Sequence, residues 1–260
     1  MAVNQHSSDV IQEITNDVLR IVISRPEKRN PLGSSTARAL VDALKRADQD
    51  NDIRVIVLTG AGDAFSAGGN LQEFVELFEG SASEIWEDGA TWHDLYGCIR
   101  KLGKPVIARV DGPAIAGGCG LVCCCDFVIA SERAIFGLPE ITIGLFALFI
   151  LPPLLDRVGR AQARKLTLTG RRLTAREALE AGIVDEVAPI DSLDDTVERL
   201  AGSLSKIAPA TMRKAKHSFR VISDNGFDAG LELARGLRGA FMGSRELHAG
   251  IRKFFEGKRS

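Results

Sequence analysis

The sequence predicts an α/β fold in which strands alternate with helices and a helical layer closes the chain. Three observations carry this. Ile53 to Leu58, Pro105 to Val110 and Phe127 to Ala130 are short, nearly continuous apolar runs, as strands covered on both faces require. Between them, apolar residues recur at three- and four-residue spacing, the period of a helix facing a core. Beyond Glu140 the pattern turns helical almost throughout. Strands joined through helices run parallel, and such crossovers spiral with one hand.

Taken in order, Val10 to Ile14 and Val18 to Ile23 read as two strands joined at Asn16-Asp17, a hairpin turn signal. The loop Ser24-Arg-Pro-Glu-Lys-Arg-Asn-Pro31 follows. Ser34 or Ser35 is then expected to cap a helix whose apolar face is Ala37, Leu40, Val41, Leu44 and Ala47. Leu71 to Gly103 holds two helical patterns broken at Gly80-Ser-Ala-Ser83. The later helices are expected at Phe146 to Val158, Arg160 to Leu168, Thr174 to Ala181, Ser192 to Lys206, Pro209 to Ile222, Phe227 to Phe241 and Ser244 to Glu256.

Composition narrows the function classes. With 260 residues, 45% hydrophobic and 26% charged, the chain can bury a large core, and one large domain is favoured. Its 33 cationic and 34 anionic side chains give a net charge of −1, so no global field draws it to nucleic acid or anionic lipid. The longest apolar stretches, such as Ile143 to Leu151, fall far short of the roughly 20 residues that cross a bilayer. Met1 to Ile14 lacks the succession typical of a signal peptide, and a cytoplasmic protein is expected. Five cysteines, four of them at Cys119, Cys123, Cys124 and Cys125, suit neither a disulfide framework nor a metal site, since the histidines lie far off in sequence. They read as small buried fillers.

The chemistry concentrates in two glycine-rich segments, Gly60-Ala-Gly-Asp-Ala-Phe-Ser-Ala-Gly-Gly-Asn-Leu71 and Asp111-Gly-Pro-Ala-Ile-Ala-Gly-Gly-Cys-Gly-Leu121. Each follows a strand pattern and opens a helix, an arrangement that points unpaired backbone N–H groups outward, ready to hold a negative oxygen. Phe65 breaks the dinucleotide fingerprint, and neither segment ends in the Gly-Lys-Ser/Thr of a phosphate loop. Further on, Phe136-Gly-Leu-Pro-Glu140 sets one carboxylate in apolar surroundings. An oxyanion site plus one base points to enolate chemistry.

These residues resemble the crotonase superfamily, the enoyl-coenzyme A hydratases and isomerases, from about Val18 to Lys258. Ile23-Ser-Arg-Pro-Glu-Lys-Arg-Asn-Pro-Leu32 is similar to its strand-to-loop signature. Ala64-Phe-Ser-Ala-Gly-Gly-Asn-Leu71 resembles its first oxyanion segment, and Lys104-Pro-Val-Ile-Ala108 with Asp111 to Cys119 its second. Leu168-Thr-Gly-Arg-Arg-Leu-Thr-Ala175 and Ala178 to Val187 resemble its later helices and strand. The resemblance implies a ββα spiral superhelix over residues 1–195, carrying the active site, and a C-terminal helical trimerisation region over 196–260. A homotrimer or homohexamer is expected.

By the same resemblance, the amides of Gly69 and Gly117 form the oxyanion hole for an acyl-coenzyme A thioester, and Glu140 moves the proton. The family's hydratases carry a further glutamate where this chain has Gly120, so a one-carboxylate double-bond isomerase is expected ahead of an enoyl hydratase. The apolar run Ile143-Gly-Leu-Phe-Ala-Leu-Phe-Ile-Leu151 is similar to the mitochondrial-type isomerases, and its bulk is expected to dry the pocket. Arg25, Lys28 and Arg29 are expected against the phosphates and adenine of coenzyme A, with Ala67, Asn70 and Leu71 also assigned to substrate binding. Phe254 matches a phenylalanine that reaches the ligand from a neighbouring subunit; Gly257 stands where a lysine is expected, so either Lys258 or Arg259 substitutes or that contact is absent. Coenzyme A belongs to the substrate, and neither metal nor separate cofactor is expected.

Asp94, Glu73 and Glu87 are weighed as supplementary acids against plain solvation, and Trp86, Trp92 and Phe78 as acyl-pocket walls against core. Two other classes are kept in view. Lys206, Arg213, Lys214, Lys216, His217 and Arg220 suggest RNA binding, although such charges usually mark a solvated helix face. Ser66 suggests a Clp-like peptidase, but no His–Asp pair is placed to serve it. The stripe Leu231, Leu233, Leu237 and Phe241 needs a partner surface.

Overall fold

A computed structural model of the chain describes residues 9–256. The residues before Asp9, and Gly257, Lys258 and Arg259, lie outside the described residues. Strand β1 (Val10–Thr15) turns back on β2 (Val18–Ile23) in an antiparallel hairpin registered from Val10–Ile23 to Thr15–Val18. Asn16 takes the left-handed conformation the turn needs, which asparagine tolerates better than most residues.

From β2 onward the chain repeats a strand, a short strand and a helix. The first unit adds β3 (Pro31–Leu32) and α1 (Ser34–Gln49). The second is β4 (Val55–Gly60), β5 (Gly68–Gly69), α2 (Leu71–Leu77) and α3 (Ala82–Lys101). The third is β6 (Val106–Val110), β7 (Pro113–Ile115) and α4 (Gly117–Cys124). The fourth is β8 (Phe127–Ser131), β9 (Ile135–Gly137), a 3-10 turn at Pro139–Ile143 and α5 (Leu151–Thr169). Then come β10 (Arg172–Thr174), α6 (Ala175–Ala181), β11 (Glu186–Ala188) and α7 (Leu193–Ser205). Helices α8 (Pro209–Ser223), α9 (Phe227–Met242) and α10 (Arg245–Glu256) follow.

The long strands form one sheet in the order β1-β2-β4-β6-β8-β11, parallel from β2 onward. Both its faces are covered, which is why β4 and β6 are largely apolar without alternation, with Arg109 of β6 paired to Asp194 of α7. On one face, Ile56, Leu58 and Ala108 pack with Leu40 and Leu44 of α1 and Leu95 and Ile99 of α3. On the other, Val55, Val57, Ile107 and Ile129 meet Leu193, Val197 and Ala201 of α7. The 195/196 boundary drawn from the sequence falls inside α7, a helix that closes the core, so the helical layer standing clear of the sheet begins at α8.

The short strands make a second layer: β3 pairs with β5, and β7 lies in the order β10-β9-β7. An isolated bridge between Ser66 and Ala114 joins the two sets. Runs of two or three residues, largely Gly, Pro and Ala, carry no readable period, so the sequence shows only loops here.

Two helix starts differ from expectation. No serine caps α1: its N-cap is Gly33, and the Ser34 amide instead donates to Glu73 Oε2 at 2.8 Å. The distant carboxylate takes the place of the local hydroxyl. Helix α5 begins at Leu151 rather than Phe146, because Pro152 and Pro153 lack N–H donors and fit only a helix's first turn. Gly159, at φ 70°, interrupts α5 where the sequence separates two helices.

Candidate functional site

The first glycine segment is held by a side chain to which the sequence alone assigns no role. Asn30 is fully buried; its Nδ2 donates to the carbonyls of Ala61 and Ala64 at 2.8 and 2.7 Å, while its Oδ1 accepts from the Arg25 amide at 2.8 Å. One residue thereby staples the basic loop to the glycine turn. Ser66 is committed as well: its Oγ donates to the Asn30 carbonyl at 2.7 Å and accepts from the Gly68 amide at 3.1 Å. A buried hydroxyl so engaged is scaffold.

Amides alternate along an extended strand. The Asn70 amide donates to the Leu32 carbonyl at 3.0 Å, so that of Gly69, one residue earlier, points to the other side of β5. On that side lies the second glycine segment. Gly68, at φ 96°, packs so closely that a side chain would sit 2.6 Å from Ala116 Cβ and 2.8 Å from the Ile115 carbonyl, and only glycine fits. Gly117 opens α4, where a first-turn amide has no intrahelical acceptor. A β-carbon built on Gly117 would lie 3.6 Å from the Gly69 nitrogen. The residue before it, Ala116, is held at φ 52°, ψ −125°, a conformation costly for a non-glycine residue. Its amide donates to the Gly137 carbonyl at 2.8 Å, tying α4 to the strand that leads to Glu140.

Glu140 sits in the 3-10 turn and is 8% exposed. Neither carboxylate oxygen has a hydrogen-bond partner. Burial raises its pKa above the ordinary 4.5, since a low-dielectric surrounding disfavours the anion. An unpaired, desolvated carboxylate is a stronger base than one in an ion pair, and the structural roles of helix cap and arginine partner are vacant here.

Beside it lies Tyr96 of α3, a buried residue that the sequence presents only as part of a helical pattern. Its hydroxyl donates to the Gly117 carbonyl at 3.0 Å. Burial pushes its pKa up, with Cys124, Cys119, Glu140 and Cys123 near enough to add to the shift. The period Trp92, Leu95–Tyr96, Ile99 marks this as an inward helix face, but periodicity cannot tell a core tyrosine from one beside a reacting centre. A cavity of about 750 Å³ adjoins Tyr96 and is lined also by Arg100, Cys123, Phe149, Pro152 and Arg160. Of the apolar run that was expected to dry the site, Ala147 and Ile150 are buried and Leu151 packs partly against the core, whereas Ile143 and Leu148 are each 66% exposed.

Arg25 is half-buried and pairs with Asp9 at 3.7 Å, whereas Lys28 and Arg29 are exposed. Ala67 is exposed, with its amide donating to the Arg29 carbonyl at 2.8 Å, and the Leu71 side chain is open to solvent. Asn70 caps α2, accepting from Gln72 N at 3.2 Å and donating to Glu73 at 2.9 Å. Phe254 lies on α10, stacked edge-on against Phe255, and Lys258 falls outside the described residues. The fold thus brings Gly69, Gly117, Ala67, Asn70 and the basic loop together through β3, β5 and β7.

The supplementary acids separate. Glu73 is tied to Ser34 and Asn70, His93 engages Asp94 at 3.1 Å in the open, and Glu87 is exposed. Glu73→Ala is expected to cost about 1 kcal/mol, the usual loss for a helix cap, and to lower Tm by about 2–4 °C with kcat nearly unchanged. Thermal unfolding beside a steady-state assay checks it; a collapse of kcat with an unchanged Tm would return Glu73 to the catalytic set. Trp92 is core, while Trp86 and Phe78 are each 80% exposed.

Burial raises the pKa of Cys124 and Cys125, and a hydrogen bond to Cys123 followed by burial does so for Cys119, so none is a ready thiolate. Among the described residues, no group of three or more His, Cys, Asp or Glu could hold a metal ion, and no helix is long and apolar enough to cross a membrane. The basic run of α8 is largely occupied: Lys216 bridges Asp126 and the Lys104 carbonyl, Arg213 pairs with Asp48, and Lys214 reaches the Ala240 carbonyl.

Known proteins resemble this chain along nearly its whole length. The sequence profile described as enoyl-CoA hydratase/isomerase matches residues 13–260. The 2,3-dehydroadipyl-CoA hydratase of Escherichia coli is 33% identical, over 96% of both chains. The crotonyl-CoA hydratase of Syntrophomonas wolfei is 30% identical, over 97% of this chain and 96% of that protein. The crystal structure of an enoyl-CoA hydratase from Mycobacterium smegmatis superposes with a TM-score of 0.92 at 28% identity, covering 96% of this chain and 97% of that one. Profile, relatives and fold coincide along nearly the whole chain, which therefore belongs to the enoyl-CoA hydratase/isomerase family of crotonase-fold enzymes.

Proposed function

We propose that this enzyme moves the double bond of a 3-enoyl-coenzyme A thioester to the 2-position. The amides of Gly69 and Gly117 hold the thioester oxygen as negative charge develops on it. Glu140 removes the proton from C2 and returns it to C4. The observation that carries this reading is Glu140 itself, the one carboxylate among the described residues with both oxygens buried and unpartnered. At position 120 there is only glycine, and a β-carbon there would meet Tyr96 Oη at 2.9 Å and Ile150 at 2.8 Å. A second carboxylate has neither a residue nor room.

Lys28 and Arg29, with Arg25 behind them, are proposed to meet the coenzyme's phosphates alongside Ala67, Asn70 and Leu71; coenzyme A enters as part of the substrate, with no other cofactor. The exposed apolar side chains of α9 and α10, Phe227, Leu231, Ile251 and Phe254, are proposed to dock on neighbouring copies in a trimer or a pair of trimers in the cytoplasm. Phe254 and Lys258 would then approach the ligand of a neighbouring copy.

Water addition to a 2-enoyl thioester is the second reading, favoured by the names of the relatives from E. coli and S. wolfei. Incubation with 3-enoyl- and 2-enoyl-coenzyme A, followed by chromatographic separation of products, decides between them. The expected result is conversion of the former to the latter with no 3-hydroxyacyl product. Hydration of the 2-enoyl substrate at a competitive rate would replace isomerisation by hydration.

A further inference from the structure

The walls of the Glu140 pocket bear on which of these reactions it runs, and the inference here rests on the isomerase reading. Isomerisation consumes nothing: the C2 proton passes to the carboxylate, the electron pair enters the enolate, and the same proton is delivered to C4. Hydration adds hydroxide to C3 and a proton to C2, and so needs a water held against the carboxylate. A buried water stays only where it has room and about three polar partners.

The space over Gly120, where a second water-holding side chain would stand, is closed here. Ile150, 6% exposed, packs its Cγ1 and Cγ2 within 2.8 and 3.1 Å of where a Gly120 side chain would begin. Tyr96 closes the other side at 2.9 Å, and its hydroxyl proton is already given to the Gly117 carbonyl. Gly120 offers no side-chain partner, and Tyr96 and Cys119 lie close enough to Glu140 for its charge to act on them. Gly120 thus supplies no second side chain to a water at Glu140, and Tyr96 has no proton left to give it. We propose that Ile150 and Tyr96 are a specificity-determining pair: together they shut water out of the space between Gly120 and Glu140, confining the site to proton transfer between carbons.

The two residues can be tested separately. Ile150→Ala opens apolar room; Tyr96→Phe removes one oxygen and frees the Gly117 carbonyl as a water acceptor. The measured quantity is the rate of 3-hydroxyacyl product formation from a 2-enoyl-coenzyme A, divided by the rate of 3-enoyl isomerisation, with heavy-oxygen water confirming the source of the hydroxyl. The ratio is expected to rise about tenfold or more in either variant, the scale on which one small group in a pocket discriminates. If Ile150→Ala does not fold, Ile150→Val and Tyr96→Phe decide. A flat ratio in every folded variant, with wild-type isomerisation intact, overturns the inference alone. Wild-type hydration as fast as isomerisation overturns the isomerase reading and the inference with it.

Discussion

Glu140→Gln is expected to lower kcat by about 10²–10⁴-fold, the range for removing a general acid–base group, on whichever enoyl substrate the wild type uses. The amide keeps the shape and loses the basicity. The same substitution is expected to stabilise the fold at neutral pH. Burial raises the folded-state pKa of Glu140 above its unfolded value near 4.5, so the anion is the form that folding disfavours. The contribution that Glu140 makes to stability is fully present below the unfolded pKa and is lost as pH rises through the raised folded one. Wild-type Tm should therefore trail that of Glu140→Gln above the folded pKa, and the gap should close on acidification. Activity runs the other way, since the base must be ionised: kcat falls as pH drops through the raised pKa. Calorimetry on both proteins across this range, beside a pH–rate profile, checks the pair. Equal Tm at every pH would mean that the carboxylate is not desolvated, and retained turnover would remove it from the mechanism.

Gly117→Pro is expected to cost about 10²–10³-fold in kcat with folding preserved, the loss typical of one oxyanion donor. Side-chain replacement elsewhere cannot delete a backbone N–H, but proline does. Position 117 is the first residue of α4, where proline removes no helical hydrogen bond, although Ala116 before it, at φ 52° and ψ −125°, must shift toward the extended backbone that proline imposes on its predecessor and some stability is lost. A β-carbon there meets Tyr96 Oη at 3.4 Å and Gly69 N at 3.6 Å, ordinary contact distances. Circular dichroism should stay close to wild type, with a lowered Tm, while turnover falls and KM changes less. Turnover near the wild-type rate would show that the Gly117 amide is not a donor to the reacting oxygen.

Much of the fold is legible in the sequence because long elements leave periodic traces. Strands β2, β4, β6 and β8 stand where apolar runs predict them, as do α1, α3 and α7 to α10 to within a few residues. The local punctuation also reads correctly at Asn16, at Pro209 and at the break over Gly80 to Ser83. The glycine segments and Glu140 are visible as motifs because glycine and proline mark backbone shape directly. What escapes are elements too short to have a period, β3, β5, β7 and β9, and these carry the proposed catalytic corner. The α1 cap by Glu73, the staple by Asn30 and the wall made by Tyr96 and Ile150 escape for a related reason, since each joins residues about 30 or more positions apart or depends on which way one side chain turns.

By itself the sequence determined the fold class and singled out the two glycine segments, the Pro-Glu motif at position 140 and the glycine at position 120, all consequences of residue type and local spacing. Tertiary structure alone decided that Ser66 is scaffold, that Glu73 is a cap, that most of the 143–151 run faces outward, and that the space over Gly120 is filled. Those outcomes depend on contacts across the short-strand layer and between α3, α4 and α5, where linear spacing carries no information.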